Sequence, residues 1–505
     1  MVDKWDKEVD VIVAGYGLGG AISAITTHDA GAKVVLLEKE SMAGGNSILS
    51  DGALIVSLNE KDAVTYLQHC SNGTVGQDMI EFMAKGMTEA PAYLNSLAED
   101  VGATTTMVDM PWVLYPFPGK DSFRIWRVTG FKDTGDTDPA KPGGFKLMEM
   151  LFRHIKKRKI EVMLSAPVKR LVQENDDRIT GVLAERESQE IAIKSKKGVI
   201  LTTGGFEFNE WLLKQYLEIK PIYGVGPKGN TGDGILMAQK AGAALWHMWL
   251  LHACYGFKFP EYDYAFRLPF GGALNPAEPA PIPWVLVNRY GKRFMSEAMP
   301  FMQDSSYRML EAMNCDFLGT ISGVPEYPNI PCYMIFDEDG RKQGPIARPR
   351  AIREEDMYYW SKYNMTEIEK GWIKRADSVP ELARVFGIDA SELKKSIERW
   401  NSQCPAQNDM DFHRVPGSMV PIKTPPFYIV DCWPVVTNTQ GGPQFNTKCQ
   451  VVDPFGEAIP SLYKAGELGS FFGHLYTLSG NLTECVVEGR TAGNNIISEP
   501  SYQKE

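Results

Sequence analysis

The sequence predicts an α/β fold into which a second, α+β unit is inserted. Three observations carry that expectation. Near the N-terminus a β-branched apolar run leads into closely spaced glycines and then a second apolar run, the signature of a strand–helix–strand unit. A further short apolar strand, Val199 to Thr202, runs into Thr203, Gly204 and Gly205. From about Trp246 to Ile422 this rhythm gives way to a stretch dense in aromatics and prolines. At 505 residues the chain exceeds one compact core. The expected division is 1–245 with 423–505 for the first unit and 246–422 for the inserted one.

The first element is a buried parallel strand, Val11 to Ala14. Gly15, Gly17 and Gly20 follow at GxGxxG spacing; Ala21 to Asp29 reads as a helix closed near Gly31, and Val34 to Leu37 as the second strand. In such a Rossmann-like unit the first glycine makes the tight turn and the second lets backbone approach a pyrophosphate. The third lets helix and strand pack closely. The helix N-terminus holds the diphosphate. Glu38 ends the second strand, where a carboxylate accepts bonds from a ribose diol; this fits NAD or FAD rather than a 2′-phosphate.

The loop Met42 to Ala53, "MAGGNSILSDGA", separates those two. A second run of glycines and hydroxyls has no role in a simple NAD site and suits a longer cofactor. With the GxGxxG unit, it resembles the FAD flavoproteins of the fumarate reductase, succinate dehydrogenase and 3-ketosteroid dehydrogenase family. In that family the loop matching Gly44, Gly45, Asn46 and Ser47 lies along the FAD. Members with covalent flavin carry a histidine there; its absence here implies non-covalent FAD. The resemblance also implies a small β-meander beside adenine and an inserted capping domain.

Downstream elements follow in order. A helical stretch is expected after Ala53 to about Asp100. The meander then turns at Asn175-Asp176-Asp177, with Val168 as the adenine contact. Asp233 precedes a helix and resembles a residue near the cofactor. Val285 to Glu297 reads as a hairpin turning at Tyr290-Gly291. Leu393, Ile397 and Trp400 mark an amphipathic helix. Gly466 and Glu467 match the family's Gly-Glu, whose carboxylate binds the ribityl chain. "SGNLTECVVEGRTAG" matches a long helix aimed at the flavin's pyrimidine edge, with Gly480, Asn481 and Leu482 supplying N–H groups. The expected cofactor-binding set is thus Gly15, Gly17, Leu18, Gly19, Gly20, Glu38, Lys39, Gly44, Gly45, Asn46, Ser47, Gly52, Val168, Thr203, Gly204, Asp233, Gly466, Glu467, Gly480, Asn481 and Leu482.

The expected chemistry centres on Tyr476, which matches a tyrosine of ketosteroid dehydrogenases. A phenol can hydrogen-bond an enolate oxygen or exchange a proton beside a carbonyl, while flavin N5 exchanges hydride with the adjacent carbon. Tyr115, His474 and Arg127 complete the expected catalytic set, with Arg124 beside Arg127 as a possible substrate anchor. His252 and Tyr255 stand near the cap entrance. Fumarate reductases place arginines where this chain has Thr477 and Phe301, so a dicarboxylate would lack its partners. Leu478 and Arg341 stand where one ketosteroid branch has serine and tyrosine. The reading is oxidation or reduction of a C–C bond next to the carbonyl of a cyclic ketone or enone. The alternatives are an enoate reductase for a monocarboxylate using Arg124 or Arg127, and a flavin-bearing electron carrier.

Composition narrows the partners. A net charge of -10 argues against nucleic acid. Eight scattered cysteines without a CxxC pair supply no metal spacing, and beside 22 methionines they suit a reducing, cytoplasmic setting. No uninterrupted apolar run is long enough for a membrane span. A second GxGxxG is missing, so electrons are expected to come from, or go to, an external carrier.

Overall fold

The computed structural model describes residues 2, 4–109, 114–133, 143–268, 280–298, 327–347, 357–477 and 479–501. The chain opens with β1 (Lys7–Ala14), α1 (Leu18–Asp29) and β2 (Val34–Leu37), then β3 (Ala53–Ser57), α2 (Gln77–Asp100), β4 (Ala103–Val108) and β5 (Phe123–Phe131). After α3 (Gly143–Arg158) come β6 (Glu161–Met163), β7 (Val168–Gln173), β8 (Ile179–Arg186), β9 (Gln189–Leu201) and α4 (Asp233–Lys240). The aromatic-rich half contributes β10 (Leu251–Phe257), β11 (Trp284–Val287), β12 (Cys332–Asp337), α5 (Ala390–Gln403) and β13 (Phe427–Thr439). The chain closes with β14 (Gln450–Val452), β15 (Ala458–Lys464) and α6 (Gly480–Ile497).

The central sheet runs β14–β15–β9–β1–β2–β6, and β7 and β8 extend it as an antiparallel meander onto β9. β1 pairs in parallel with β2 and β9, and β9 pairs in parallel with β15, so the C-terminal residues return beside the first strand. Period-two alternation sends the two faces of β1 into two cores. Val11 and Val13 pack with α1, α2, α3 and α6, whereas Ile12 and Ala14 face the core that continues through the meander into the aromatic unit. A separate three-stranded sheet, β3–β5–β4, lies against α2 and α3.

The cap sheet is built around β13, which pairs antiparallel with β10 and β12; β11 pairs with β12. Its long strand lies beyond residue 422, and Tyr223–Gly224 joins it from before residue 246, so the cap sheet draws on both sides of the expected boundaries. β13 runs from the cap to Thr439, whose N–H reaches Glu467 on the returning segment after β15.

Two expectations change. Ala53 opens a buried strand, all five residues of β3 being buried, before the helices begin; the loop glycines masked a run that reads equally as strand or helix start. Val285–Glu297 turns as expected, with Gly291 N–H donating to the Asn288 carbonyl, but its second arm pairs only through a Val287–Arg293 bridge. The cause is Glu297. It is fully buried, takes a two-pronged bond from Arg293 and accepts the Leu286 N–H, tying down the return arm.

Candidate active site

A cleft opens at the C-terminal ends of β1, β2 and β9, where a parallel α/β sheet has its free loops. Gly15 turns at φ +110°, and a Cβ on Gly20 would lie 1.9 Å from the Gly15 carbonyl oxygen. Only glycine allows α1 to start this close to the strand. A Cβ on Gly17 would make only ordinary contact, with Ser47 Oγ at 3.5 Å. Leu18 N–H donates to that hydroxyl over 3.1 Å, so the second glycine loop is docked on the N-terminus of α1. Gly19 abuts Ala465 on the returning segment. Glu38 accepts the N–H groups of Tyr16 and Glu40, each at 2.9 Å, and burial pushes its carboxyl above the usual range.

The rest of the expected cradle divides. Lys39 donates to Asp233 at 2.7 Å and to Thr231 at 2.6 Å, so Lys39 and Asp233 form an ion pair across the cleft mouth. Gly45, Asn46, Ser47, Val168, Thr203, Gly204, Gly466 and Glu467 line the cleft. Gly44 is the N-cap of the short turn Gly45–Ile48, and Asn46 donates to the Thr437 carbonyl of β13 at 2.8 Å. Gly52 serves packing instead: a Cβ there would sit 2.3 Å from the Gly143 carbonyl. Thr203 Oγ1 and Asn230 Nδ2, in residues that line this cleft, are buried without a partner. Unpartnered polar atoms around a glycine backbone, next to the half-buried Glu38 carboxyl, fit a bound dinucleotide.

At the far end stands α6. Its first residue is Gly480, but the atom a side chain would strike is the Phe472 ring, 2.2 Å from a built Cβ. Glycine is therefore set by packing at this position. Asn481 is buried, its side chain bonded to Asn438, Gln440, Ser470 and Glu484; its N–H reaches Tyr476 Oη at 3.4 Å. Leu482 packs from the first turn onto the core behind.

Tyr476 is 6% exposed, with the His252 ring 4.7 Å and the Phe472 ring 5.3 Å away. Burial pushes its phenol well above the ordinary tyrosine range, and the charge of Arg267 opposes this. Arg267, itself buried, donates to His252 Nε2 at 2.8 Å. Arg267–His252–Tyr476 thus form a line from the cap to the start of α6. Because the guanidinium always donates, it leaves Nε2 as acceptor and puts the histidine proton on Nδ1. Arg267 was invisible to sequence reasoning because the line depends on β10 pairing with Phe266–Arg267.

Other expected residues fall as follows. The Tyr115 hydroxyl is buried without a partner; its ring stacks on Phe117 at 5.8 Å, and Phe117 stacks on His69. On the helix Glu60–Ser71, Tyr66 accepts the Tyr115 N–H, while Cys70 accepts from Leu475 N–H through its carbonyl and from Thr477 Oγ1 through its sulfur, so one helix holds both the Tyr115 and Tyr476 loops. His474 is half-buried, and burial keeps its imidazole below the usual range. Arg124 and Arg127 do not act together. Three residues apart on β5, they face opposite sides. Arg124 bonds the carbonyls of Asp121 and Phe123 and pairs with Asp109 at 3.6 Å, while the buried Nε of Arg127 has no partner. Tyr255 is fully buried and donates to the Asn329 carbonyl, a packing role. Arg341 is locked to Glu338 by two 2.7 Å bonds. Phe301 and Leu478 lie outside the described residues. Among the described residues no group of His, Cys, Asp or Glu could hold a metal, and no helix is long and apolar enough to cross a membrane.

Comparison with known proteins bears on this geometry. A family model described as an FAD binding domain matches residues 10–482. The chain is 29% identical to a urocanate reductase of Eggerthella lenta over 97% of its length and 75% of the relative's. It is 27% identical to a cytochrome fumarate reductase of Shewanella frigidimarina over 96% of this chain and 76% of that one. It shares its fold with the solved 3-ketosteroid Δ1-dehydrogenase of Sterolibacterium denitrificans, at TM-score 0.80 and 22% identity, covering 97% of this chain and all of that one. The chain therefore belongs to the FAD binding domain family, as an FAD-dependent oxidoreductase.

Proposed function

We propose that this flavin-dependent oxidoreductase of CH–CH groups acts on the C–C bond next to the carbonyl of a cyclic ketone or enone, with Tyr476 as hydrogen-bond donor to the carbonyl oxygen. One observation carries the reading. A buried phenol stands just before α6, next in sequence to the neutral Thr477, with a histidine–arginine pair beside its ring.

FAD, when bound, supplies the hydride donor or acceptor. The glycine turn, Glu38 and Thr203 hold it without covalent attachment, the loop Gly44–Ser47 offering no histidine. The phenol stays protonated at neutral pH, so it donates to a developing enolate oxygen rather than acting as a base. His252, with its proton on Nδ1, keeps the surroundings of Tyr476 polar, and Arg267 holds that ring in one orientation. The charge of Arg267 favours the negative oxygen that forms during reaction. Tyr115 offers a second buried hydroxyl without a partner.

A dicarboxylate suits the site poorly, because Thr477 is a buried neutral hydroxyl bonded to Cys70. An external carrier supplies or removes electrons. The test compares kcat/KM for fumarate and for a cyclic enone with one artificial donor. The enone should be favoured by at least about a hundredfold, the worth of one well-placed donor in the transition state. Equal values would overturn the substrate assignment and point to Arg127 as a carboxylate clamp.

A further inference from the structure

At the wall of the cleft two carboxyl groups meet, Glu467 and Glu207. Glu207 is 2% exposed, and Glu467, from the Gly466-Glu467 turn, is half-buried where it lines the cleft. One backbone donor serves both: Thr439 N–H lies 2.7 Å from Glu207 Oε1 and 3.1 Å from Glu467 Oε1. The chain makes room for this meeting. A Cβ on Gly205 would lie 2.6 Å from Glu207 Oε1 and 2.7 Å from Glu467 Oε1, so glycine at 205 is what lets the two carboxyls come together.

The donors available are too few for two carboxylates. Besides the Thr439 N–H, the Thr439 hydroxyl donates to Glu207 Oε1 at 3.3 Å and Asn46 donates to Glu467, which leaves Glu207 Oε2 buried without an N–H or O–H partner. The surrounding cations are committed elsewhere. Lys464 is fully buried and bonded to Glu488 and to the Gly466 and Gly469 carbonyls, and Lys39 is paired with Asp233. On α6, Glu484 takes the Phe471 N–H, the Ser470 hydroxyl and the Asn481 amide, and the Cys485 thiol is kept neutral by burial. Tyr476, on the loop before α6, is also neutral. Two ionised carboxylates this close with no cation between them repel strongly. A proton is the donor that completes the set. Burial and the neighbouring Glu207 carboxyl push the Glu467 carboxyl well above the usual range.

We propose that Glu467 is held as a neutral acid donating to the Glu207 carboxylate, and that Glu207 is thereby the positioning residue that fixes Glu467 against the FAD. The pair then carries one negative charge, and the remaining lone pairs of Glu467 face the cleft for the hydroxyls of the cofactor's ribityl chain. This rests on the FAD assignment alone and is independent of the substrate.

Two measurements on apoprotein test it at pH 8. In infrared difference spectra, wild type should show a deuterium-sensitive carbonyl band of a protonated carboxylic acid that disappears in both Glu207→Gln and Glu467→Gln. A band unchanged in either variant would overturn the proposal. FAD titration, followed by loss of flavin fluorescence, supplies the second readout. Glu207→Gln keeps one donor and one net charge in the pair, so its affinity should stay within about threefold of wild type. Glu207→Leu leaves Glu467 without its partner and should weaken FAD by roughly tenfold or more, the worth of a lost bond to a charged group. Wild-type affinity in the leucine variant would refute the positioning role. Wild-type protein that binds no FAD would instead refute the cofactor assignment.

Discussion

Replacing Tyr476 by phenylalanine removes one oxygen and leaves the ring. The structure sets how small the folding cost should be. Among the described residues this hydroxyl accepts one hydrogen bond, from Asn481 N–H at 3.4 Å, at the long limit, so its loss should cost no more than about 0.5 kcal/mol. The ring contacts with His252 and Phe472 survive the change. Cofactor retention should survive too, since Gly15, Gly17, Glu38, Asn46 and Glu467 lie on other segments. Turnover is another matter. If the phenol donates to the oxygen that gains charge, the variant loses ~10²–10⁴ in kcat. The assay measures steady-state turnover of a cyclic enone and bound-flavin absorbance on one preparation. A variant with full flavin and rates within a few-fold of wild type would remove Tyr476 from the reaction, and Tyr115, with its buried hydroxyl, would be the residue to test next.

Two further outcomes follow from the same geometry. Gly20→Ala sets a methyl 1.9 Å from the Gly15 carbonyl and should yield protein without flavin colour; a yellow variant with normal FAD content would contradict the tight turn. In the cap, the Arg341 guanidinium holds the Glu338 carboxyl down at about 2, below its unfolded value near 4.3. A depressed folded pKa stabilises above the unfolded value and is lost as pH falls towards 2. Thermal melts should therefore weaken over that window, and less so in Glu338→Gln; identical acid profiles for both would refute the linkage.

How much of this was legible in the sequence depends on the range of the interaction. The GxGxxG turn, β2 and Glu38 are local: spacing alone puts glycines at a strand end and a carboxylate at the next, and the fold follows. The helix Ala390–Gln403 was equally plain from Leu393, Ile397 and Trp400. Arg124 and Arg127 misled because three-residue spacing is neighbourly on a helix but opposite-faced on a strand, and only the pairing of β5 with β3 and β4 decides which applies. Gly480 and Gly52 were legible as required glycines but not for their reasons, which are Phe472 and Gly143. Glu207, Arg267 and Asn438 carry no local signal. Their partners are Glu467, His252 and Asn481, and chain closure across β13 and α6 is needed before they meet.

The most direct test of the central claim is the reoxidation of the bound flavin. The purified protein is reduced anaerobically by a chemical donor and mixed with a cyclic enone, with fumarate in a parallel mixing, while flavin absorbance is followed in a stopped-flow instrument. The account predicts that the enone restores the oxidised spectrum in a single fast phase that Tyr476→Phe slows by ~10²–10⁴, and that fumarate restores it far more slowly. Flavin that stays reduced with the enone, or that fumarate reoxidises faster, would contradict it.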